Sequence, residues 1–235
     1  MRFAGTGKWV IIPFMGYSDW VKLEAAAAQS APFPYVLCED FIIADKLSAI
    51  HRDFPQVPGA GSFPLGTLKC GDAFAALTDE IRGGRMTEIL SEKLQVPLSG
   101  HPTMVTVRGF CRETDGKIHR DSRGKMATVL LYLNRDWEDK GGGRLRLLNG
   151  ADNIDDYFLE VPPGDGALLA FRCDDNAWHG HLPFAGARRA IQLNWAVNNN
   201  YRRRESVRHF LSATLKKTRS LARGVRVKDS TNHGA

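Results

Sequence analysis

A mainly β fold with flanking helices, closed into a barrel, is what this sequence predicts, and three observations predict it. Between Lys117 and Val197, strand-like runs alternate with Gly/Pro corners: YLNRDW at 132–137, GGGRLRLL at 141–148 and VPPGDGALLAF at 161–171. The run ARRAIQLNWAV at 187–197 alternates strictly. Arg189, Ile191, Leu193 and Trp195 form one large apolar face made to pack on helices, and Arg188, Ala190, Gln192 and Asn194 form a small polar face that suits a cavity lining. Upstream, 72–94 repeats apolar residues at helical spacing, which supplies the layer for the apolar face.

The 235 residues, 43% of them hydrophobic, suffice for one domain with appendages and a buried core. The expected layout is a lead-in over 1–32, a barrel domain over 33–201 and a basic helix and tail over 202–235. Cys38, Cys70, Cys111 and Cys173 are scattered without a C-x-x-C pair, which fits a reduced, cytoplasmic chain. No apolar run reaches the length of a transmembrane segment, and the first residues lack a leader pattern.

In chain order, Ser18 and Asp19 are candidate caps for a short helix over 21–28. PYVLCEDF at 34–41 reads as a strand, followed by a helix over 44–53 that stops before Pro55. The Gly- and Pro-rich run 55–68 reads as a loop. Phe74, Leu77 and Ile81 mark one helix, Gly83-Gly84 breaks it, and Met86, Ile89, Leu90 and Leu94 mark a second. TMVTVRGF at 103–110 alternates as a strand. Arg108 and Arg112 read as surface or ion-paired side chains, with an anionic substrate as the alternative. Gly141–Gly143 permits a sharp strand corner, and no Lys-Ser/Thr follows to make it a phosphate loop.

The chemistry concentrates in KIHRDS. In an extended segment His119 and Asp121 point the same way, so an imidazole and a carboxylate converge. A second histidine must come from a distant strand, and His179 and His181 are the candidates. Two histidines and one carboxylate form the facial triad of non-haem Fe(II) oxygenases, although the same donors accept Mn, Co or Zn. Alone, H-x-D reads more readily as a turn aspartate beside a half-buried histidine. Asp174, Asp175 and Asn176 are candidates to orient a ligand imidazole, or a plain turn.

HRD, YLNRDW, GGGRLRLL, PPGDGALLAF and HGHLPFAGARRA, in that order, resemble the 2-oxoglutarate/Fe(II)-dependent dioxygenases, in particular their prolyl-hydroxylase branch. The resemblance covers about a third of the chain strongly. It implies a double-stranded β-helix (jelly-roll, cupin-like) barrel. It implies Fe(II), 2-oxoglutarate and O2, with ascorbate a candidate reductant. In that branch the distal histidine lies four residues before a proline and about nine before a basic residue, which selects His179 over His181. The metal set so implied is His119, Asp121 and His179. Spacing and alternation both select Arg188 over Arg189 to grip the far carboxylate of 2-oxoglutarate, a task suited to a guanidinium fork. Tyr132 would bond the same carboxylate. Related halogenases carry a small residue in place of the aspartate, so Asp121 implies hydroxylation, with succinate and CO2 released.

The substrate is open: a protein side chain, a saccharide or a small metabolite. The other reading is a non-oxidative cupin-like metal-binding protein or enzyme, which would not need Arg188. Residues 202–228 hold ten Lys/Arg against one acid. With Val207, Phe210, Leu211, Leu215, Leu221, Ala222 and Val225 at helical spacing they predict an amphipathic basic helix. Docking on the barrel is one use for it, and an anionic surface or polymer is the other.

Overall fold

The structure, a computed structural model, describes residues 16–135, 137 and 141–208. Helix α1 spans Trp20–Ala25 and is capped by Asp19, whose Oδ1 accepts the Lys22 N–H at 3.1 Å. It is shorter than predicted, because the chain turns extended at Ala26 and Ala28–Gln29 form strand β1 against β2 (Tyr35–Cys38). A 3₁₀ turn (Ala44–Lys46) leads into α2 (Leu47–Arg52). The 55–68 run is not all loop. Ser62–Pro64 form strand β3 at the edge of the main sheet, a position that tolerates a proline lacking an N–H. Helices α3 (Asp72–Arg82) and α4 (Gly84–Lys93) are separated at Gly83, as the pattern predicts.

The barrel strands follow: β4 (Thr103–Cys111), β5 (Lys125–Tyr132), β6 (Leu145–Leu148), β7 (Tyr157–Val161), β8 (Leu168–Arg172), β9 (His179–Gly180) and β10 (Gly186–Ala196). They make two antiparallel sheets, a large one ordered β1-β2-β8-β5-β10-β4-β3 and a small one ordered β7-β6-β9. Strand β10 lies between β4 and β5, so both of its edges are paired.

Alternation sorts its side chains. Ile191, Leu193 and Trp195 are fully buried in one core with Phe74, Leu77, Ile81, Met86 and Leu90 of the two helices. Ala190 joins a second core between the sheets, with Tyr132, Leu147, Leu169 and Phe171. At roughly 25 cal/mol per Å2 of apolar surface removed from water, the first core is where most of the stabilisation resides.

Asn134 sets the end of β10 that matters for the site. The register of β10 shifts between Ala187 and Ala190. There the Asn134 Oδ1 accepts the Arg189 N–H at 2.7 Å, and its Nδ2 donates to the carbonyls of Arg189 and Pro163 at 3.1 and 2.7 Å. One buried amide thus ties the YLN strand, the PPGDG corner and β10 together and fixes which way residues 188 and 189 face. Most of the basic segment 202–228 lies outside the described residues, and helix is described over 199–208. Among the described residues no helix is long and apolar enough to cross a membrane.

Candidate functional site

His119 and His179 approach across an isolated antiparallel bridge. Each N–H donates to the other's carbonyl, at 2.9 and 3.0 Å, and the two rings stand 4.3 Å apart between centroids. Asp121 joins them, and one donor atom from each of the three residues lies within 4.8 Å of the others. His181 is not part of that group. Its ring packs on Gly116, where a Cβ would come within 2.3 Å of it, and its Nδ1 faces the Leu182 carbonyl at 2.8 Å.

The tautomers follow from the backbone. The Nδ1 of His119 faces the Lys117 carbonyl at 2.8 Å, and that of His179 faces the Ala177 carbonyl at 3.0 Å. A nitrogen opposite a carbonyl must carry the proton, so each Nε2 keeps its lone pair for a metal. Asp174, Asp175 and Asn176 do not orient either imidazole. They bond instead to Arg172, to Arg120 and Arg123, and to the Pro32 carbonyl.

On the inward face of β10, Arg188 is only 5% exposed, whereas Arg189 is exposed and lies over the Phe54 ring. The Arg188 Nε donates to the Gly143 carbonyl at 2.7 Å, and its Nη2 donates to the Tyr132 hydroxyl at 3.3 Å. Among the described residues no carboxylate pairs with this guanidinium. A buried cation with only neutral partners is costly in itself and is a ready receptor for an anion.

Residues 108–197 match the family model described as the 2OG-Fe(II) oxygenase superfamily. By this match residues 108–197 are a 2OG-Fe(II) oxygenase domain. Its cofactor is therefore Fe(II), and its co-substrates are 2-oxoglutarate and O2. Among solved structures, the oxygenase domain is similar to a prolyl 4-hydroxylase from Phytophthora capsici: 17% identity, TM-score 0.51, 76% of this chain and 65% of that one covered. That likeness shows the double-stranded β-helix fold. Two others are similar at lower TM-score. A Pseudomonas putida prolyl-4-hydroxylase gives 18% identity and 0.47, covering 69% of this chain and 92% of that one. An oxidoreductase of the 2OG-Fe(II) oxygenase family from Burkholderia pseudomallei gives 13% and 0.49, covering 77% and 91%. No curated protein matches the chain.

The electrostatics of the oxygenase site suit a dication. Burial pushes the Asp121 carboxyl up, but the Lys125 ammonium, 2.6 Å from its Oδ1, and the neighbouring His179 outweigh that and hold it at about 2. Burial and the neighbouring His119 hold His179 down at about 4. At neutral pH the site thus offers an anionic carboxylate and a neutral imidazole there, the forms a metal requires. Burial, above the opposing pull of Arg188, raises the Tyr132 phenol, so it stays a neutral hydroxyl beside the guanidinium.

Lys125, Thr128 and Asn194 around Asp121 were not singled out by the sequence reading. Thr128 and Asn194 carry inward-facing phases, but only the cross-strand register that makes them partners brings them to the carboxylate. Arg108 and Arg112 both pair with Asp115, at 3.5 and 3.1 Å, as the ion-paired reading expects.

Proposed function

We propose that this oxygenase is a hydroxylase in which His119, Asp121 and His179 hold Fe(II), while Arg188 and Tyr132 hold the far carboxylate of 2-oxoglutarate. One observation carries the reading: one donor atom from each of His119, Asp121 and His179 lies within 4.8 Å of the others, while Arg188 is buried with no carboxylate partner among the described residues. The iron, when bound, supplies the centre at which O2 converts 2-oxoglutarate to succinate and CO2 and a substrate C–H to C–OH.

This chain's own residues do the rest. The backbone carbonyls of Lys117 and Ala177 hold the two imidazoles with Nε2 outward. Tyr132 and Arg188 offer a hydroxyl and a guanidinium fork to one carboxylate, and their burial excludes water from that contact and strengthens it. A cavity of about 260 Å3 runs along residues 113–118 and 181–183, next in the chain to His119 and His179, and is where we place substrate entry. Its walls include Ile118, Ile154, Leu182 and Pro183.

A cupin-like metal binder would share the three ligands and leave Arg188 without a task. The two readings separate in a succinate-release assay with Fe(II), 2-oxoglutarate and O2 over a panel of peptidyl prolines, saccharides and small metabolites. Substrate-stimulated succinate that vanishes in Asp121→Ala supports the hydroxylase. Metal binding without any turnover of 2-oxoglutarate supports the binder.

A further inference from the structure

Asp121 lies on no ladder. Residues 120–124 run between the His119 bridge and β5 without strand pairing, so the backbone leaves the rotation of this carboxylate unset. Side chains set it. On one side the Lys125 Nζ donates to Oδ1 at 2.6 Å. On the other the Thr128 hydroxyl donates to Oδ2.

Thr128 is itself held. Asn194, its cross-strand partner on β10, donates Nδ2–H to the Thr128 Oγ1 at 2.6 Å. Both residues are buried, at 1% and 4% exposure. A hydroxyl has one proton and two lone pairs, so accepting the amide N–H on one lone pair leaves the proton for a different direction. Two acceptors lie within reach: the Asp121 carboxylate, and the Cys173 sulfur at 3.3 Å. The ionised oxygen is much the stronger acceptor and takes the proton.

We propose that Thr128, backed by Asn194, is a positioning residue of the metal centre: it fixes the Asp121 carboxylate in the rotation that presents it to the ion. The proposal rests on Asp121 being a ligand. Lys125 contributes charge on the opposite oxygen, but its ammonium sits on a flexible stem, whereas Thr128 has a short side chain on a paired strand. The relay Asn194 → Thr128 → Asp121 therefore carries the geometry. Removing a group that orients a metal ligand weakens metal affinity by about 10- to 100-fold.

The test uses the full chain, freed of metal, and Co(II) as the probe, followed by its ligand-field absorption. This readout needs neither substrate nor turnover. Thr128→Val, nearly the same shape without the hydroxyl, should bind Co(II) about 10- to 100-fold more weakly, with a changed band pattern. Thr128→Ser should restore wild-type affinity and spectrum. Asn194→Ala should weaken binding to a lesser degree, and should add nothing in the Thr128→Val background, because the two act through one bond. Thermal melts of the metal-free variants check folding, and Asn194→Ala with Thr128→Ser keeps the relay testable if Thr128→Val does not fold. Wild-type affinity and spectrum in Thr128→Val would overturn the proposal, and so would independent, additive losses from Thr128 and Asn194. Asp121→Ala distinguishes the two levels. If it binds Co(II) as the wild type does, the ligand assignment falls and takes this proposal with it; if it fails to bind, any failure of Thr128→Val belongs to the positioning role alone.

Discussion

Neighbouring residues of β10 live under different physics. Ile191, Leu193 and Trp195 face the helices and are fully buried among apolar side chains. Arg188 and Asn194, on the other face of the same strand, are nearly as buried but are surrounded by hydroxyls, carbonyls and amides. On the helix side the interaction is non-directional and its cost follows the volume removed. On the barrel side it is directional, and its cost follows the donor or acceptor lost. The strand thus joins a stabilising face to a working face one residue apart, which is why a shift of one residue in its register would destroy both.

Substitutions at the metal donors, which the working face reaches through Asn194 and Thr128, should have the largest effect. His179→Ala is expected to abolish Fe(II) binding in an anaerobic titration, as are His119→Ala and Asp121→Ala, while His181→Ala keeps the metal. Retention of iron by His179→Ala with loss in His181→Ala would reassign the distal ligand. On the stabilising face, Trp195→Ala should cost about 3–5 kcal/mol, read as a shift in the urea midpoint of the metal-free protein. A cost below about 1 kcal/mol would mean that this face is not the main core.

Acid tests the buried polar groups beside the working face without mutation. His179 and His181 both sit at about 4, His179 through burial and His119, His181 through burial and Arg188. The unfolded chain binds protons at both near pH 6.5 and the folded chain does not, so stability falls as pH drops from about 6.5 towards 4. The loss is roughly 3 kcal/mol per histidine when the window has been crossed. Asp121 acts lower: its carboxyl, held at about 2, adds stability above the ordinary carboxylate range that is lost as pH falls through about 2. Urea midpoints of metal-free protein at pH 7 and pH 4.5 check this, and His181→Asn should show the smaller drop. The smallest effect is expected from Arg189→Ala, which loses only an exposed stacking contact on Phe54, about 0.5–1 kcal/mol, and should leave both cofactors bound as before.

What the sequence revealed depended on whether a feature is local. Alternation along β10 is local, so the inward Arg188 and the outward Arg189 were legible from residue phase alone. The helix pair was legible because Phe74, Leu77, Ile81, Met86 and Leu90 repeat at one period and Gly83 interrupts it. His119, Asp121 and His179 were legible as a set through the resemblance and its spacing. Strand β3 was hidden, because three residues ending in Pro64 carry no alternation and become a strand only beside β4. For Asp174, Asp175 and Asn176 the sequence left two readings open, and the plain turn is the one that holds. Backbone carbonyls orient the imidazoles, and every residue has one. The clamp on Asp121 was hidden for a third reason: Thr128 and Asn194 meet only through a register 66 residues apart in the chain.

The measurement that reaches furthest is an anaerobic titration of 2-oxoglutarate into Fe(II)-loaded wild type, Arg188→Ala and Arg189→Ala. Removing one partner of a buried charged pair costs about 3–5 kcal/mol, or roughly two to four decades in affinity. If the inward face of β10 holds the co-substrate, Arg188→Ala loses that much affinity while its iron affinity stays near wild type, and Arg189→Ala binds 2-oxoglutarate as the wild type does. Equal affinity in wild type and Arg188→Ala, with the large loss in Arg189→Ala, would contradict the division of this strand into a stabilising and a working face.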